Sequence, residues 1–319
     1  MSNLWKKRVY GVAGIKSKMS NWNADFTGNP KSTSDGEVFG SDKAWKYSIK
    51  KYWEDNGEKV LYIKSYTINK KDGKLQPREL KERYEQLFGE VLEKKTNSQV
   101  VLKNLLSAVD VANFGATFAV EGQNIALTGV VQVGQGMNKD RETTTEIQDI
   151  LSPFRNSNKG DADASSLGKK IVSNEAHYFY PFSVNPNNYD SVARLVEGFE
   201  GYTTEAFEKF RDASLVSATA LNTNSKAGCS TEFVLFVICK EGENVYLPHL
   251  DQYIGFEKEG DMSLIDLEKL SVLLKEFEDW IDMIEVYYNP FEAKMINHHG
   301  RFLLKNIFTK KAVESAELV

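Results

Sequence analysis

Hydrophobic and polar positions form separate blocks along the chain, and their periodicity predicts an α+β fold. Alternating or continuous apolar runs predict strands at residues 7–18, 59–68, 114–120, 125–133, 176–184, 233–239 and 283–288. Helical spacing predicts helices at residues 41–52, 78–95, 99–109, 203–222 and 264–280, with Thr204 placed to cap the fourth. Without insertions the order is strand, helix, strand, strand, helix, strand. This is the ferredoxin-like pattern, which RNA-recognition modules share with many unrelated proteins.

The helix predicted at residues 41–52 has two chemically different faces. At about 100° per residue, one face carries Lys43, Lys46, Tyr47 and Lys50, and the other carries Trp45, Ile49, Tyr52 and Trp53. The aromatic face can be buried, and the lysines then form a row of cations that suits a chain of phosphates. A solvated face on an ordinary amphipathic helix is an equally good interpretation of this segment taken alone.

A long polar segment separates two of the predicted strands. Residues 134–173 are about forty positions of Thr, Ser, Asn, Gly and charged residues with little apolar content. Inside a compact chain, a segment of this length and polarity is usually functional or disordered. We therefore treat it as a candidate binding element.

The composition is that of a soluble globular protein. The chain has 319 residues, of which 41% are hydrophobic and 27% charged. Residues 9–15 are too short and too interrupted by glycine for a signal peptide, and no apolar run approaches membrane-spanning length. We expect a cytoplasmic protein that does not contact a membrane, with Cys229 and Cys239 as buried thiols rather than a disulfide.

The charge is distributed unevenly. Residues 1–71 hold 14 Lys and Arg against 7 Asp and Glu, a balance of +7. The whole chain holds 40 against 45, so residues 72–319 hold 26 against 38, a balance of −12. A basic amino-terminal region could bind a polyanion while the acidic remainder meets neighbouring subunits. Chance clustering is the alternative.

Motifs for cofactors and metals are weak. The Gly134-Gln135-Gly136 triplet lacks the further residues of a nucleotide-binding loop, and the four histidines lack metal-ligand spacing. We therefore predict no cofactor and no metal. A run of aromatic residues resembles the stacking positions of RNA-recognition modules but lacks their signature, so core packing is the favoured interpretation. These aromatic residues are Tyr178, Phe179, Tyr180 and Phe182.

Seven short segments carry a resemblance to a known family when they are taken in order. They are NWNADFTGNPK at residues 21–31, the helix start at Ser41 and Asp42, DVANFGATF at 110–118, LTGVVQVGQG at 127–136, ILSPF at 150–154, LGKK at 167–170 and FSVNP at 182–186. Over roughly residues 8–239 the chain resembles the backbone subunit of a type I CRISPR surveillance complex (Cascade). It is most similar to the type I-B form, a member of the RAMP superfamily.

The chain departs from the family pattern at two places. Ala112 stands where the family usually has an arginine, and Gly129-Val130-Val131-Gln132 stands where it has Gly-Pro-Val-Gln.

The resemblance implies a right-hand shape. It implies a ferredoxin-like, RRM-like palm at about residues 7–70, 114–134 and 174–240, helical fingers at 71–113, a thumb hairpin at 135–173 and a carboxy-terminal addition at 241–319. It also implies a non-catalytic subunit whose copies stack head to tail along a CRISPR guide RNA. Each thumb would fold over the RNA held by a neighbour and leave bases free to pair with target DNA. Other Cascade subunits are the remaining implied partners.

A guide carries any sequence, so its protein should hold phosphates and sugars and leave base edges unread. On this basis, the predicted RNA-binding residues are Asn21, Asn23, Asn29, Lys31, Ser41, Lys43, Lys46, Lys50, Gln132, Gly134, Gly136, Arg155, Lys169 and Lys170. Gly28 is a further candidate backbone donor. The resemblance implies an apolar thumb wedge made of Ile150, Leu151, Pro153 and Phe154.

Two alternatives remain. Related RAMP proteins cleave RNA, some with an acidic residue of the first loop, and Asp25 and Asp35 lie in the comparable loop here. A general base also needs a positioned partner, and none is evident nearby in the sequence. The third interpretation is a ferredoxin-like oligomeric scaffold that binds no nucleic acid.

Overall fold

Most of the predicted apolar runs become strands of one large sheet. The computed structural model describes residues 3–151 and 166–313, and within them the chain is a mixed α and β protein with a mainly sheet core. The helices are α1 (Asp42–Asp55), α2 (Leu80–Phe88), α3 (Ser98–Ser107), α4 (Val109–Phe114), α5 (Asp190–Ala193), α6 (Thr204–Ala220) and α7 (Glu268–Lys275).

The strands fall before and after the polar segment. Strands β1 to β8 are β1 (Val9–Ser20), β2 (Phe39–Gly40), β3 (Tyr66–Ile68), β4 (Leu75–Pro77), β5 (Gly115–Val120), β6 (Gln123–Thr128), β7 (Val131–Val133) and β8 (Gly136–Asn138). Strands β9 to β16 are β9 (Thr145–Leu151), β10 (Ser166–Val184), β11 (Cys229–Cys239), β12 (Gly255–Glu259), β13 (Met262–Asp266), β14 (Ile281–Tyr288), β15 (Ala293–Ile296) and β16 (Phe302–Asn306).

Strand β1 lies at the centre of the main sheet. It pairs antiparallel with β10 on one side and with β11 on the other, so that Val9 lies opposite both Val184 and Ile238. The sheet order is β16-β14-β11-β1-β10-β8-β2, and β7 and β9 also pair with β10. The long strand β10 therefore carries three short partners along its outer edge.

Both faces of the main sheet are covered. On one face α1 and α6 bury an aromatic cluster in which the Trp45 ring lies 5.5 Å from Tyr180 and 5.7 Å from Phe182. On the other face the chain after β11 covers Phe179 and Phe233, which are fully buried. The prediction that these aromatic residues pack in the core is confirmed, and the sheet face that RNA-recognition modules use for stacking is closed here.

A third apolar cluster lies beside the main sheet. Strands β5 and β6 pair with each other and pack on the helices α2 and α3, where Phe118 lies 5.4 Å from Tyr84. The resemblance predicts that these strands belong to the palm. Ala116 and Phe118 point into the core of the helical insertion, while Leu127 also packs against the aromatic cluster of the main sheet.

Several predicted elements differ from the structure, and the helix predicted at 78–95 ends at Phe88 in α2, where Gly89 adopts the left-handed conformation of a C-cap. Residues 59–65 form no strand, because the carboxylate of Asp110 accepts the backbone N–H groups of Leu61 and Tyr62, both at 2.8 Å. The predicted helix at 264–280 is shortened to α7, since residues 262–266 pair with β12 as β13. The predicted strand at 125–133 is interrupted between β6 and β7. Helix α6 is capped by Thr203, whose side chain accepts from the Ala206 N–H at 3.1 Å, and not by Thr204.

In the described residues no helix is long and apolar enough to cross a membrane. Cys229 and Cys239 are both buried free thiols, as predicted.

Candidate nucleic-acid interface

Helix α1 buries its aromatic face, and its three predicted lysines have different environments. Lys43 is exposed. Lys46 pairs with Asp42 at 3.1 Å, and its ammonium lies 5.6 Å from the centre of the Phe114 ring. Lys50 donates a hydrogen bond to the Tyr62 carbonyl at 2.8 Å, and burial lowers its pKa despite the nearby carboxylate of Asp110. Lys43 thus lies at the surface, Lys46 is partly buried in an ion pair, and Lys50 contributes to the fold.

The loop between β1 and β2 is tied to the sheet by amide side chains. Asn21 is buried, and its Nδ2 donates to the carbonyls of Gly28 at 3.0 Å and Ile171 at 3.1 Å. The Asn23 Oδ1 accepts the backbone N–H of Ser41 at 2.7 Å. Ser41 is the buried residue from which α1 begins. These three predicted RNA-binding residues therefore hold the loop against α1 and β10.

A tight turn occupies the tip of this loop. The Asp25 Oδ1 accepts from the Thr27 N–H at 2.8 Å, the Thr27 hydroxyl at 2.7 Å and the Asn29 N–H at 3.0 Å. The hydrogen bonds from Thr27 and Asn29 hold the pKa of Asp25 below its usual value. The Asn29 amide donates in turn to the Thr27 hydroxyl at 2.7 Å. Between these anchored residues the ring of Phe26 is fully exposed.

Phe26 lies in the NWNADFTGNPK segment but is not among the residues predicted from the sequence to bind RNA. An apolar ring between turn-forming residues in a polar loop was the available signal. Farther along the same loop, the Lys31 ammonium lies 5.6 Å from the centre of the Phe39 ring.

The glycine-rich segment before β9 is shaped by close packing. The Gln132 Nε2 donates to the Gly129 carbonyl at 2.8 Å, and the Gly134 N–H donates to the Pro181 carbonyl at 2.8 Å. Gly136 lies opposite Gly40 across the β2–β8 pair, and a Cβ added at Gly136 would collide with the ring of Tyr180. Close packing therefore explains the glycines of this segment. Gln132, which is also predicted to bind RNA, is exposed.

Strands β9 and β10 form a hairpin at the position predicted for the thumb. Every residue of β9 is exposed, and Ile150 and Leu151 are 42% and 69% exposed. On β10, Lys169 is exposed, and Lys170 donates to the Asn224 side chain at 3.4 Å. The remaining predicted residues of this segment, Pro153, Phe154 and Arg155, lie outside the described residues.

The chain after α1 contributes to a second exposed surface. The Lys64 ammonium lies 5.0 Å from the centre of the Tyr66 ring, and Tyr66 pairs with Pro77 in the β3–β4 hairpin. Tyr47 of α1 is also exposed. The alternation at residues 59–68 predicts a palm strand, so the sequence pattern did not indicate this combination of exposed aromatic and basic residues.

The two candidate catalytic carboxylates lie apart from other acid–base groups. Asp25 is engaged by the turn described above, and Asp35 accepts from the Ser34 hydroxyl at 2.8 Å. Across residues 3–151 and 166–313, neither aspartate shares a hydrogen bond or ion pair with a histidine or a second carboxylate. Among those residues no three His, Cys, Asp or Glu side chains are grouped to hold a metal ion.

Comparisons with known proteins place the chain among CRISPR proteins. The family model described as CRISPR-associated protein Cas7 matches residues 7–277. No curated protein sequence matches the chain. Among solved structures, one described as a CRISPR RNA-guided surveillance complex is similar at 16% identity and a TM-score of 0.44, with 88% of each chain covered. Another, described as a CRISPR RNA-guided surveillance complex in a pre-nicking state, has 14% identity and a TM-score of 0.49, with 92% of this chain and 96% of that chain covered.

Proposed function

Because the chain belongs to the CRISPR-associated protein Cas7 family, we propose that it is a guide-RNA-binding backbone subunit of a type I Cascade complex, similar to the type I-B form. The single observation that carries this proposal is the family match over residues 7–277. The proposed partners are the CRISPR guide RNA, target DNA through the guide, other copies of this chain and the other Cascade subunits. The proposed location is the cytoplasm, and the proposed role is non-catalytic.

The proposed palm is ferredoxin-like. The antiparallel order β11-β1-β10, with β7 and β8 beyond β10, supports this assignment, as do α1 and α6 on one sheet face. In the ferredoxin-like pattern the fourth, first, third and second strands are neighbours in this order. We assign α2 and α3 to the fingers, together with the β5–β6 hairpin that packs on them, and we assign the β9–β10 hairpin to the thumb.

The proposed RNA grip uses exposed and partly exposed groups that bind phosphate and sugar without reading bases. Lys43 and Lys46 supply cations at the start of α1, and Lys31, Gln132 and Lys169 extend the surface on the neighbouring loop, strand and hairpin. Four of the predicted residues support the grip indirectly, because their polar groups hold the loop and α1 in position. They are Asn21, Asn23, Ser41 and Lys50. Ile150 and Leu151 are the described part of the proposed thumb wedge.

Copies of the chain are proposed to associate head to tail. A heterologous interface of this kind does not close on itself and gives a helical filament. The RNA would then set the number of copies. Wedging between bases costs a few kcal/mol of stacking for each step, and repeated phosphate contacts along the guide can offset that cost.

Titration of a labelled single-stranded RNA at several salt concentrations tests the proposal. Binding through phosphates releases counterions, so the logarithm of affinity should fall linearly with the logarithm of salt. Lys43→Ala should make the slope shallower by about 1. Lys269→Ala is the matched control, because Lys269 is exposed on α7 in the carboxy-terminal region.

Two results would contradict the proposal in different ways. A protein that fails to bind RNA even in dilute buffer would contradict the function itself. Unchanged slopes for Lys43→Ala and Lys46→Ala would remove α1 from the interface. Electron microscopy of the protein purified with RNA adds an independent measurement, since filaments whose length follows the RNA are expected.

A further inference from the structure

We propose that Phe26 is a base-stacking residue, which places its ring against a nucleobase of the bound polynucleotide. This inference rests on the proposed function and extends it to a residue outside the phosphate grip. It starts from the exposure of the Phe26 side chain, which is 111% of the reference value. A phenylalanine that is fully exposed has a large apolar surface available to a partner.

The turn fixes the position of this ring before any partner binds. The three hydrogen bonds to the Asp25 carboxylate are joined by backbone bonds between Asp25 and Asn29 at 2.8 Å and between Gly28 and Asp25 at 3.2 Å. Gly28 adopts φ of +88°, which the turn requires and which glycine accepts without strain. Such a turn lowers the entropy lost on binding, because its backbone is already ordered.

The turn lies beside the base of the hairpin proposed as the thumb. The Asn21 amide bonds the carbonyls of both Gly28 and Ile171, so it joins the turn to β10. Ile171 pairs across the hairpin with Ile147, which is 58% exposed. An exposed aromatic ring and an exposed aliphatic side chain therefore occupy the same corner of the molecule. Lys169 continues along the same strand.

The charge around the turn favours a base over a phosphate as the group that meets Phe26. Residues 24–37 carry the three carboxylates of Asp25, Asp35 and Glu37 against the single cation of Lys31. Carboxylates repel phosphates, so the tip of the loop around Asp25 and Phe26 suits the backbone less well than Lys31, which supplies the phosphate contact of this loop. The face of a nucleobase is uncharged, and its stacking on an aromatic side chain is tolerant of sequence. That tolerance suits a guide of arbitrary sequence.

The shape of the turn argues against a protein partner as the occupant. A stable protein interface takes about 800 Å² from each partner. Phe26 instead is a fully exposed ring between the polar residues Asp25 and Thr27. A single projecting ring resembles the apolar wedges that proteins insert between base steps.

Fluorescence of 2-aminopurine, placed at successive positions of a single-stranded RNA, tests the proposal directly. With the wild-type protein, emission should change at the positions where Phe26 stacks, and Phe26→Ala should abolish that change. Phe26→Ala should also weaken RNA binding by about 5- to 150-fold, from the usual value of one stacked base. Its salt slope should equal that of the wild type, because no ion pair is lost.

Two variants complete the design. Phe26→Trp should keep the affinity, since it keeps an aromatic face. Phe291→Ala is the matched control, because Phe291 is 76% exposed in the carboxy-terminal region and should not affect binding. Phe26 is fully exposed, so its replacement should leave the circular dichroism spectrum and the midpoint of thermal unfolding unchanged.

The outcomes separate this proposal from the one on which it rests. A wild-type protein without affinity for RNA would overturn the proposed function and this inference together. Wild-type binding with an unchanged affinity and 2-aminopurine signal in Phe26→Ala would overturn this inference alone. Loss of assembly between copies in Phe26→Ala, with the base signal intact, would assign Phe26 to a protein contact and would also overturn it.

Discussion

The buried carboxylate of Asp110 accepts the backbone N–H of Leu61 at 2.8 Å. Its second oxygen accepts the N–H of Tyr62 at 2.8 Å, so one side chain supplies the acceptors that a neighbouring strand would otherwise provide. Burial raises the pKa of Asp110, while these two hydrogen bonds and Lys50 act in the opposite direction. Asp110 belongs to a family-like segment, and its role in this structure is to fix the chain that follows α1.

Asp110→Ala should destabilise the protein by about 2–4 kcal/mol, because it leaves two buried N–H groups without acceptors. Urea unfolding followed by circular dichroism measures this change. Asp35→Ala is the control, since Asp35 is exposed and should change stability by less than about 0.5 kcal/mol. Equal stabilities of the two variants would contradict the structural role of Asp110.

A buried ionic cluster joins the main sheet to the carboxy-terminal region. His177 lies between two glutamates, with its Nδ1 3.0 Å from Glu232 and its Nε2 3.2 Å from Glu175. Glu175 also lies 3.5 Å from the Lys16 ammonium and 3.8 Å from that of Lys258 on β12. Burial by itself raises the pKa of Glu175, but the interactions with His177, Lys16 and Lys258 outweigh burial and the pKa is lowered overall.

The lowered pKa of Glu175 gives a direction for the pH dependence of stability. A carboxylate with a lower pKa in the folded state stabilises the protein above its unfolded pKa, near 4.5 for glutamate. That contribution is lost as the pH falls below about 4.5 and through the lower pKa of the folded state. Wild-type stability should therefore decrease more steeply on acidification than that of Glu175→Gln.

Urea unfolding at pH 7 and at successively lower pH values measures this difference. The gap between wild type and Glu175→Gln should be largest at pH 7 and should shrink as the pH falls. Glu257→Gln is the control, because Glu257 is exposed on the same strand as Lys258 and should follow the wild-type curve. A gap that stays constant with pH would contradict the role assigned to Glu175.

The endoribonuclease alternative gives a separate prediction. Hydrogen bonds occupy the Asp25 Oδ1, and Asp35 accepts from Ser34. General base catalysis also needs a carboxylate that is positioned against a reacting group. We therefore expect the protein to leave a complementary RNA intact, with and without Mg²⁺, in a gel assay. Cleavage that disappears in Asp25→Ala or Asp35→Ala would establish the alternative and refute the non-catalytic role.

The elements with strong periodicity could be predicted from the sequence, and those set by single tertiary contacts could not. The aromatic stripe of α1 was predicted because Trp45, Ile49 and Trp53 recur at helical spacing, and all three are buried. The apolar run of β11 predicted a strand covered on both faces. By contrast, the alternation at residues 59–65 is typical of a strand, but a hydrogen bond to Asp110, which is distant in sequence, holds this segment in another conformation.

The candidate site was predictable in composition but not in exposure. Lys43 and Lys50 share a helical face, yet the chain after α1 folds back over Lys50 and leaves Lys43 in solvent. Periodicity gives the direction of a side chain around its own helix. It does not give the position of a segment that returns to cover part of that face.

This difference between Lys43 and Lys50 leads to opposite predictions for two alanine variants on one helix. Lys50→Ala removes a charged donor to the Tyr62 carbonyl and should reduce stability by about 1.5–3 kcal/mol. Lys43→Ala should change stability by less than about 0.5 kcal/mol, while it makes the salt slope of RNA binding shallower. Urea unfolding and RNA titration of both variants provide the two measurements. A salt slope that changes with Lys50→Ala and not with Lys43→Ala would mean that the buried lysine reaches the phosphates, and the proposed grip would have to be moved along α1.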